Sequence, residues 1–195
     1  MADKAVSQIS VGSGSRHVAM TDDGSYAFVA NEMSGTTSVI RTSDRTNLAN
    51  VATGVGSWFP IVLPNSSYCY VVKNAASGGL SKVRTSDQTL ITTIATGSHP
   101  QYGAVTADGS FIYVANVNSG TVSVVNTDTD TVAATISLGA TTRPLFVAIN
   151  PNGSFAYVTR NTNPGYVSVI NTSSNAAIAT VTVGSNPVFV AVRPF

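Results

Sequence analysis

The chain has 195 residues, of which 43% are apolar and only 10% are charged, and its formal net charge is +1. This length suits one all-β domain with a sizeable core. There is no Lys/Arg cluster of the kind that phosphates require, so the sequence predicts no nucleic-acid partner. No run of about 18 apolar residues is present, so no membrane span is predicted. Because charges are few, the polar surface must consist mainly of Ser, Thr, Asn and Gly, a composition that is commoner outside cells.

A tract of roughly 43 residues recurs four times along the chain. Its clearest turn lies in the sequences DGSYAFVAN, NSSYCYVVK, DGSFIYVAN and NGSFAYVTR, which begin at Asp23, Asn65, Asp108 and Asn152. In each copy an apolar run ends in Asp-Gly or its counterpart, a pair that favours a tight hairpin. An aromatic and β-branched run follows, then a third run such as Thr121 to Val125 and a fourth such as Thr131 to Gly139.

Four strand signals per repeat, without a long 3.6-residue apolar period, are typical of a propeller blade. We therefore predict an all-β propeller built of four-stranded antiparallel blades. The single domain spans 1–195, and its repeats cover approximately 14–55, 56–97, 98–140 and 141–184.

The two ends of the chain carry strand signals of a further, incomplete blade. Residues 5–12 (AVSQISVG) match a fourth strand, and residues 187–193 (PVFVAVR) match a first strand. Three arrangements fit this pattern: a segment of a larger propeller, an open arc that assembles with copies of itself, or a small closed ring with one thin blade. Since an unpaired strand edge invites another chain, a homo-oligomer joined through these orphan edge strands is expected for an open arc.

The second-strand sequences FVAN, YVAN and YVTR, followed by SGTVSV or GYVSV and by TVAATISLG, resemble YVTN-type β-propeller repeats. The resemblance covers nearly the whole chain. It implies twisted four-stranded sheets around a common axis, a fold often found in secreted or surface-layer proteins of bacteria and archaea, and it implies no particular reaction. The second repeat departs most, because Asn65-Ser66 replaces Asp-Gly and GGLSKV forms its third strand.

Residues for catalysis or metal binding are sparse. His17 and His99 share no ligand-like spacing, Glu32 is the only glutamate, and no G-x-S-x-G, H-E-x-x-H or phosphate-loop motif occurs. Cys69 stands in register with Ala27, Ile112 and Ala156, which favours a small buried hydrophobe. We therefore assign no catalytic residue, metal or cofactor. The alternative is a propeller enzyme resembling sugar lactonases or antibiotic-ring lyases, which gather carboxylates, His and metal at the channel mouth, and Glu32 and His99 would be its candidates.

One repeat position, seven residues before the turn glycine or its counterpart, falls at the start of the innermost strand. It holds His17, Phe59, Tyr102, Phe146 and Phe189. We predict an aromatic channel mouth that binds a sugar or another small ligand, to which Trp58, Arg16, His99 and Arg143 add stacking and hydrogen bonds. Asn31, Asn116 and Asn161 end the second strands and would form a polar rim. The alternative is structural: bulky rings wedge the blades apart, and Asn side chains cap turns.

Taken together, the sequence favours a non-enzymatic binding or scaffolding module at the cell surface or outside the cell. The alternatives are the lactonase- or lyase-like enzyme and a structural surface-layer repeat that self-assembles. The N-terminal sequence MADKAVSQIS lacks the basic and apolar parts of a signal peptide, so the protein is expected either to be cytosolic or to have lost its signal.

Overall fold

The computed structural model describes residues 8–192 and contains four antiparallel sheets, each with four strands in chain order. Blade 1 contains β1 (Ser15–Met20), β2 (Tyr26–Asn31), β3 (Thr36–Arg41) and β4 (Thr46–Ala52). Blade 2 contains β5 (Ser57–Val62), β6 (Tyr68–Lys73), β7 (Gly79–Arg84) and β8 (Leu90–Ala95). Blade 3 contains β9 (Pro100–Val105), β10 (Phe111–Asn116), β11 (Thr121–Asn126) and β12 (Thr131–Ser137). Blade 4 contains β13 (Pro144–Ile149), β14 (Phe155–Arg160), β15 (Gly165–Asn171) and β16 (Ala176–Val183). The predicted propeller architecture of four-stranded blades is confirmed.

The hairpin between the first two strands of each blade depends on local turn chemistry. In blade 1, the Asp23 side chain accepts a hydrogen bond from the Ser25 backbone N–H at 3.0 Å, and Gly24 adopts φ 71°. A positive φ is easiest for glycine, which has no Cβ to clash with the backbone. In blade 2 the same position is Ser66, with φ 58°. The second repeat therefore builds the same hairpin despite its divergent sequence.

Apolar residues alternate between the two faces of a blade, so blades 2 and 3 each contribute to two different cores, and blades 1 and 4 each contribute to one. At the first junction, Phe28 and Val39 of blade 1 pack in one cluster with Cys69 and Val71 of blade 2. Corresponding clusters fill the junctions between blades 2 and 3 and between blades 3 and 4. Cys69 is fully buried, and this burial raises the pKa of its thiol, as expected for a residue that acts as a core hydrophobe.

The junction between blades 2 and 3 contains a buried ion pair. Lys82 Nζ donates to Asp130 Oδ1 at 2.9 Å and to the Thr127 carbonyl at 3.2 Å. The ammonium also lies 4.2 Å from the ring centroid of Tyr68, while Tyr70 Oη donates to the same Asp130 oxygen at 2.9 Å. Charge, hydrogen bonding and aromatic contact thus meet at one place between two blades.

The junction between blades 3 and 4 uses a neutral version of the same arrangement. Tyr113 Oη donates to Asn175 Oδ1 at 2.7 Å, which matches the bond from Tyr70 to Asp130. Val124 occupies the repeat position that Lys82 holds in blade 2. A tyrosine reaching the next blade's turn is therefore a repeated contact, and the charge pair is added to it in one place.

First strands of neighbouring blades lie against one another, β1 against β5, β5 against β9 and β9 against β13. The residue before each of these strands has a positive φ, and so does its counterpart near the C-terminus: Gly14, Gly56, His99, Arg143 and Asn186, at φ 68°, 81°, 50°, 45° and 53°. The chain therefore enters every inner strand through one left-handed residue, a feature that the sequence reasoning did not predict.

The structure assigns no strand to the described parts of the two predicted orphan strands, residues 8–12 and 187–192. Side-chain hydrogen bonds hold them instead, from Asn47 Nδ2 to the Ser10 carbonyl at 2.9 Å and from Thr159 Oγ1 to the Val188 carbonyl at 3.3 Å. The physical reason is that a strand requires a neighbouring backbone for its ladder, and the second and third strands of that blade are missing from the sequence. The remaining predicted residues, 5–7 and 193, lie outside the described residues.

Candidate functional site

Six aromatic rings meet where the inner strands begin, and we call them the aromatic centre. Its members are His17, Trp58, Phe59, Tyr102, Phe146 and Phe189. Ring centroids are 5.3 Å apart for His17 and Phe59, 5.1 Å for Phe59 and Tyr102, and 4.9 Å for Phe146 and Phe189. These are edge-on contacts at the spacing that aromatic pairs prefer. Each blade supplies at least one ring, and the C-terminal segment supplies another.

The aromatic centre has a closed side and an open side. Tyr102 contacts His17, Phe59, Phe146 and Phe189, and only 8% of its surface is exposed. Phe189, by contrast, is 65% exposed. The rings therefore pack closely around Tyr102, and Phe189 leaves an apolar surface exposed at one side.

Hydrogen bonds fix the orientation of the imidazole. His17 Nδ1 lies 2.9 Å from the Trp58 carbonyl, and because a carbonyl only accepts, Nδ1 carries the proton. In the neutral ring, Nε2 is then an acceptor for the Tyr102 hydroxyl, which lies 3.3 Å away. Both ring nitrogens of His17 are thus used inside the protein.

Trp58 combines an aromatic face with charged neighbours. The Arg16 guanidinium carbon lies 4.9 Å from its ring centroid, a cation–π contact, and Arg16 Nε donates to Glu32 Oε2 at 2.6 Å. The indole N–H of Trp58 is buried and has no hydrogen-bond partner among the described residues. A stacking ring, a guanidinium and a carboxylate lie together here, and polar ligands are held by such groups.

Arg16 was predicted for this site, whereas Glu32 was predicted only as a candidate residue of the lactonase- or lyase-like alternative. β2 pairs with β1 through Asn31 and Ser15, so Glu32 lies opposite Gly14, whose carbonyl accepts from the Glu32 backbone N–H at 2.9 Å. Arg16 is the extra residue at the register shift between Ser15 and His17, so regular strand pairing does not place it beside Glu32. The contact between the two side chains could therefore not be predicted from strand alternation.

His99 and Arg143, which were predicted to support the site, lie directly before the inner strands β9 and β13. Both take the left-handed conformation that precedes an inner strand. His99 Nδ1 lies 2.9 Å from both Ser98 Oγ and Asn118 Nδ2, and the Arg143 carbonyl accepts from the Asn161 backbone at 3.0 Å. The structure gives neither side chain a contact with the six rings.

The three asparagines predicted as a polar rim have internal hydrogen bonds. Asn31 and Asn116 are fully buried, and their Nδ2 groups donate to Ser38 and Ser123 at 2.9 Å. Asn161 is half-buried and donates to the Pro187 carbonyl at 3.4 Å. These bonds join the second strand to the third, or to the C-terminal segment, and they agree with the structural alternative for this repeat position.

The residues around the aromatic centre do not fit a metal. His17 uses both nitrogens, and Glu32 is engaged by Arg16. Over residues 8–192, no group of three or more His, Cys, Asp or Glu side chains is placed to hold a metal ion. The arrangement supports stacking and hydrogen bonding, and we derive no metal-dependent step from it.

Several solved structures superimpose on the chain at low sequence identity. Hydrazine synthase of Kuenenia stuttgartiensis superimposes with a TM-score of 0.83 at 21% identity, over 94% of this chain and 53% of that one. Dihydro-heme d1 dehydrogenase NirN gives 0.73 at 12% identity, over 90% and 39%. A functionally unknown protein from Desulfotomaculum acetoxidans gives 0.72 at 16% identity, over 90% and 58%. At these identities the likeness shows the fold alone, and the chain spans about half the length of the first of these proteins.

No helix within residues 8–192 has the length and apolar character to cross a membrane. Among curated proteins, no sequence matches the chain. A family model described as "Lactonase, 7-bladed beta-propeller" matches residues 2–56 and 41–138, which together cover more than half of the sequence. The chain therefore belongs to the seven-bladed β-propeller lactonase family.

Proposed function

We propose that this protein is a non-enzymatic binding module that holds a carbohydrate at the open side of its aromatic centre. The observation that carries the proposal is the aromatic surface itself, in which Phe189 is 65% exposed beside rings supplied by every blade. An apolar ring that is exposed to water is unfavourable, and covering it with the apolar face of a sugar lowers the free energy. Trp58, with Arg16 and Glu32, supplies stacking and hydrogen-bonding groups next to it.

The test uses Trp58, the only tryptophan of the chain, as an internal probe. We expect neutral hexasaccharides of glucose or N-acetylglucosamine to change its fluorescence in a saturable way. Phe189→Ala should weaken this binding about fivefold, since stacking on one aromatic ring contributes on the order of 1 kcal/mol. Ile178→Ala is the matched control, because Ile178 is a 56% exposed apolar residue on the outer strand β16. No saturable change with any oligosaccharide, or equal effects of the two variants, would contradict the proposal.

The narrower assignment to secreted or surface-layer propellers of the YVTN type is part of the same proposal. It is supported by the sequence motifs and by a polar surface poor in charges. Fractionating cells that express the native gene and locating the protein with an antibody tests this assignment. Recovery in the cytosolic fraction alone would contradict an extracellular or cell-surface role.

A lactonase-like enzyme is the second candidate, and the family match favours it. Glu32 and His99 are the side chains to test. Hydrolysis of simple sugar lactones, followed by proton release, should then exceed the uncatalysed rate and fall in Glu32→Gln or His99→Asn. Background rates with the parent protein would set this candidate aside.

Self-assembly is the third candidate, and exposed apolar residues on the two end blades favour it. Val18 and Met20 of blade 1 are 62% and 53% exposed, and Val181 of blade 4 is 51% exposed. At the other junctions, equivalent faces pack against a neighbouring blade. Light scattering during size exclusion should then give an oligomer whose mass falls with dilution, and a monomer at all concentrations would contradict it.

A further inference from the structure

Clefts recur where the hairpin between the first two strands of one blade faces the next blade. The cleft between blades 1 and 2 has a volume of 440 Å³, the one between blades 2 and 3 has 120 Å³, and the one between blades 3 and 4 has 320 Å³. The first has the size of a small-molecule site. We call it the interblade cleft, and it lies apart from the six rings of the aromatic centre.

The lining of the interblade cleft combines two tyrosine rings with neutral polar groups. Its wall includes Tyr26, Tyr68, Asp23, Asn65, Arg84 and Thr85. Two charged side chains also line the cleft: Arg84 Nη1 pairs with Asp87 at 2.7 Å, and Asp23 accepts hydrogen bonds from the Ser25 backbone N–H and hydroxyl. Rings together with hydroxyl, amide and carboxylate groups suit a neutral ligand that carries many hydroxyls and has apolar C–H faces.

Thr85 gives an independent sign that a ligand belongs in this cleft. In the other three blades, the threonine at this repeat position donates its hydroxyl to the carbonyl of the hairpin glycine: Thr42 to Gly24, Thr127 to Gly109 and Thr172 to Gly153. Thr85 is only 6% exposed, and its Oγ1 has no hydrogen-bond partner within the described chain. A buried hydroxyl without a hydrogen-bond partner is destabilising. A ligand group that formed this missing hydrogen bond would therefore bind favourably.

The cause of this exception is the divergent second repeat. Its hairpin contains Ser66 in place of glycine, and the Ser66 hydroxyl accepts a hydrogen bond from the Asp22 backbone N–H of blade 1 at 3.1 Å. The substitution therefore links the two blades at the cleft and coincides with the loss of the internal bond of Thr85. Blade 2 differs from its neighbours at the place where the largest of the three clefts lies.

We propose that the interblade cleft is a second binding site, which takes a single neutral pyranose sugar. The apolar face of the sugar packs on Tyr26 or Tyr68, and one sugar hydroxyl bonds to Thr85 Oγ1. The site is independent of the aromatic centre, because none of the six rings of that centre lines it.

The test is saturation-transfer NMR, followed by titration, with glucose, galactose, mannose and N-acetylglucosamine at millimolar concentration. Thr85→Val removes the unpartnered hydroxyl and keeps the branched shape of the side chain. We expect it to weaken binding about five- to tenfold, the effect of one hydrogen bond between neutral groups. Thr127→Val is the matched control, since its hydroxyl is already bonded to the Gly109 carbonyl at 2.6 Å. It should lower stability and leave sugar binding unchanged.

Three results would overturn the proposal. The first is the absence of transfer to any of the four sugars. The second is parental affinity in Thr85→Val, and the third is an equal loss of affinity in Thr127→Val. Sugar binding that is lost in Trp58→Ala and kept in Thr85→Val would place the ligand at the aromatic centre, which would support the proposed function and overturn the second site.

Discussion

The buried pair of Lys82 and Asp130 allows a quantitative test of how two blades are joined. The Lys82 side chain is 8% exposed and that of Asp130 is 24% exposed. Asp130→Asn keeps the shape of the side chain, and Asn tolerates the φ of 55° at this turn, as Asn175 does at φ 50° in blade 4. The change therefore removes one negative charge and leaves a buried ammonium without a counterion.

We expect Asp130→Asn to lower the free energy of unfolding by about 2–3 kcal/mol, below the full value for a completely buried pair because Asp130 is partly exposed. For a chain of this length, the melting temperature should fall by about 5–10 °C. Lys82→Val should cost less, since Asp130 reaches solvent and keeps the hydrogen bond from Tyr70.

The double variant Lys82→Val with Asp130→Asn is the decisive control. It converts the junction of blades 2 and 3 into the type found between blades 3 and 4, where Val124 and Asn175 hold these positions and Tyr113 donates to Asn175. Because uncharged replacement of a buried pair is often neutral, we expect its stability to lie within about 1 kcal/mol of the parent.

The assay is urea unfolding followed by the fluorescence of Trp58, analysed as a double-mutant cycle. The reasoning requires a favourable coupling of about 2 kcal/mol between the two side chains. If the Asn variant is as stable as the parent, or if the double variant loses the sum of the two single effects, the pair does not stabilise the junction as described.

Three further outcomes follow from the structure. Gly56→Ala should lower the free energy of unfolding by about 2–4 kcal/mol, because φ is 81° and a Cβ would lie 2.6 Å from the Asn74 carbonyl oxygen. Gly24→Ala, where φ is 71° and the space is open, should lower it by only about 1 kcal/mol. Equal urea midpoints for the two variants would contradict this expectation. Burial raises the pKa of the Cys69 thiol, so iodoacetamide at mildly alkaline pH should modify it only in urea, as mass spectrometry would show. Hydrogen bonds from Arg41 and then Thr46 hold the pKa of Asp44 well below its ordinary value, so its contribution to stability is present above about pH 4 and is lost as the pH falls further; melting temperatures of Asp44→Asn should therefore depend less on acid than those of the parent.

Much of the fold could be predicted from the sequence because its information is local and repeated. A hairpin signal such as that at Asp23 and the alternating runs around it depend on neighbours within a few residues, and four copies in phase leave few architectures. The position of the inner aromatic residues could be predicted for the same reason, since Phe59 and Tyr102 occur at the same position of the repeat. The left-handed residue before each inner strand was not predicted, although Gly14 and Gly56 hold the same repeat position as His99 and Arg143.

The polar part of the candidate site could not be predicted in this way. From the sequence, Asn31 and Asn116 were predicted at the ends of second strands, where they would form a polar rim. In the structure their amides are buried and hydrogen-bonded to the next strand. Whether a polar side chain faces water or a neighbouring strand depends on how closely the next element packs. Repeat phase carries no information on that distance.

The sequence by itself therefore determined the repeat, the strand order and the position of the inner aromatic residues, since each of these rests on short-range periodicity and turn chemistry. The tertiary structure decided which side chains meet across blades. Lys82 and Asp130 are 48 residues apart, and His17 and Tyr102 are 85 residues apart. Contacts over such separations depend on the angle between packed sheets, which no local pattern encodes. The unpartnered hydroxyl of Thr85 likewise became visible only when its three equivalents were seen bonded to their hairpin carbonyls.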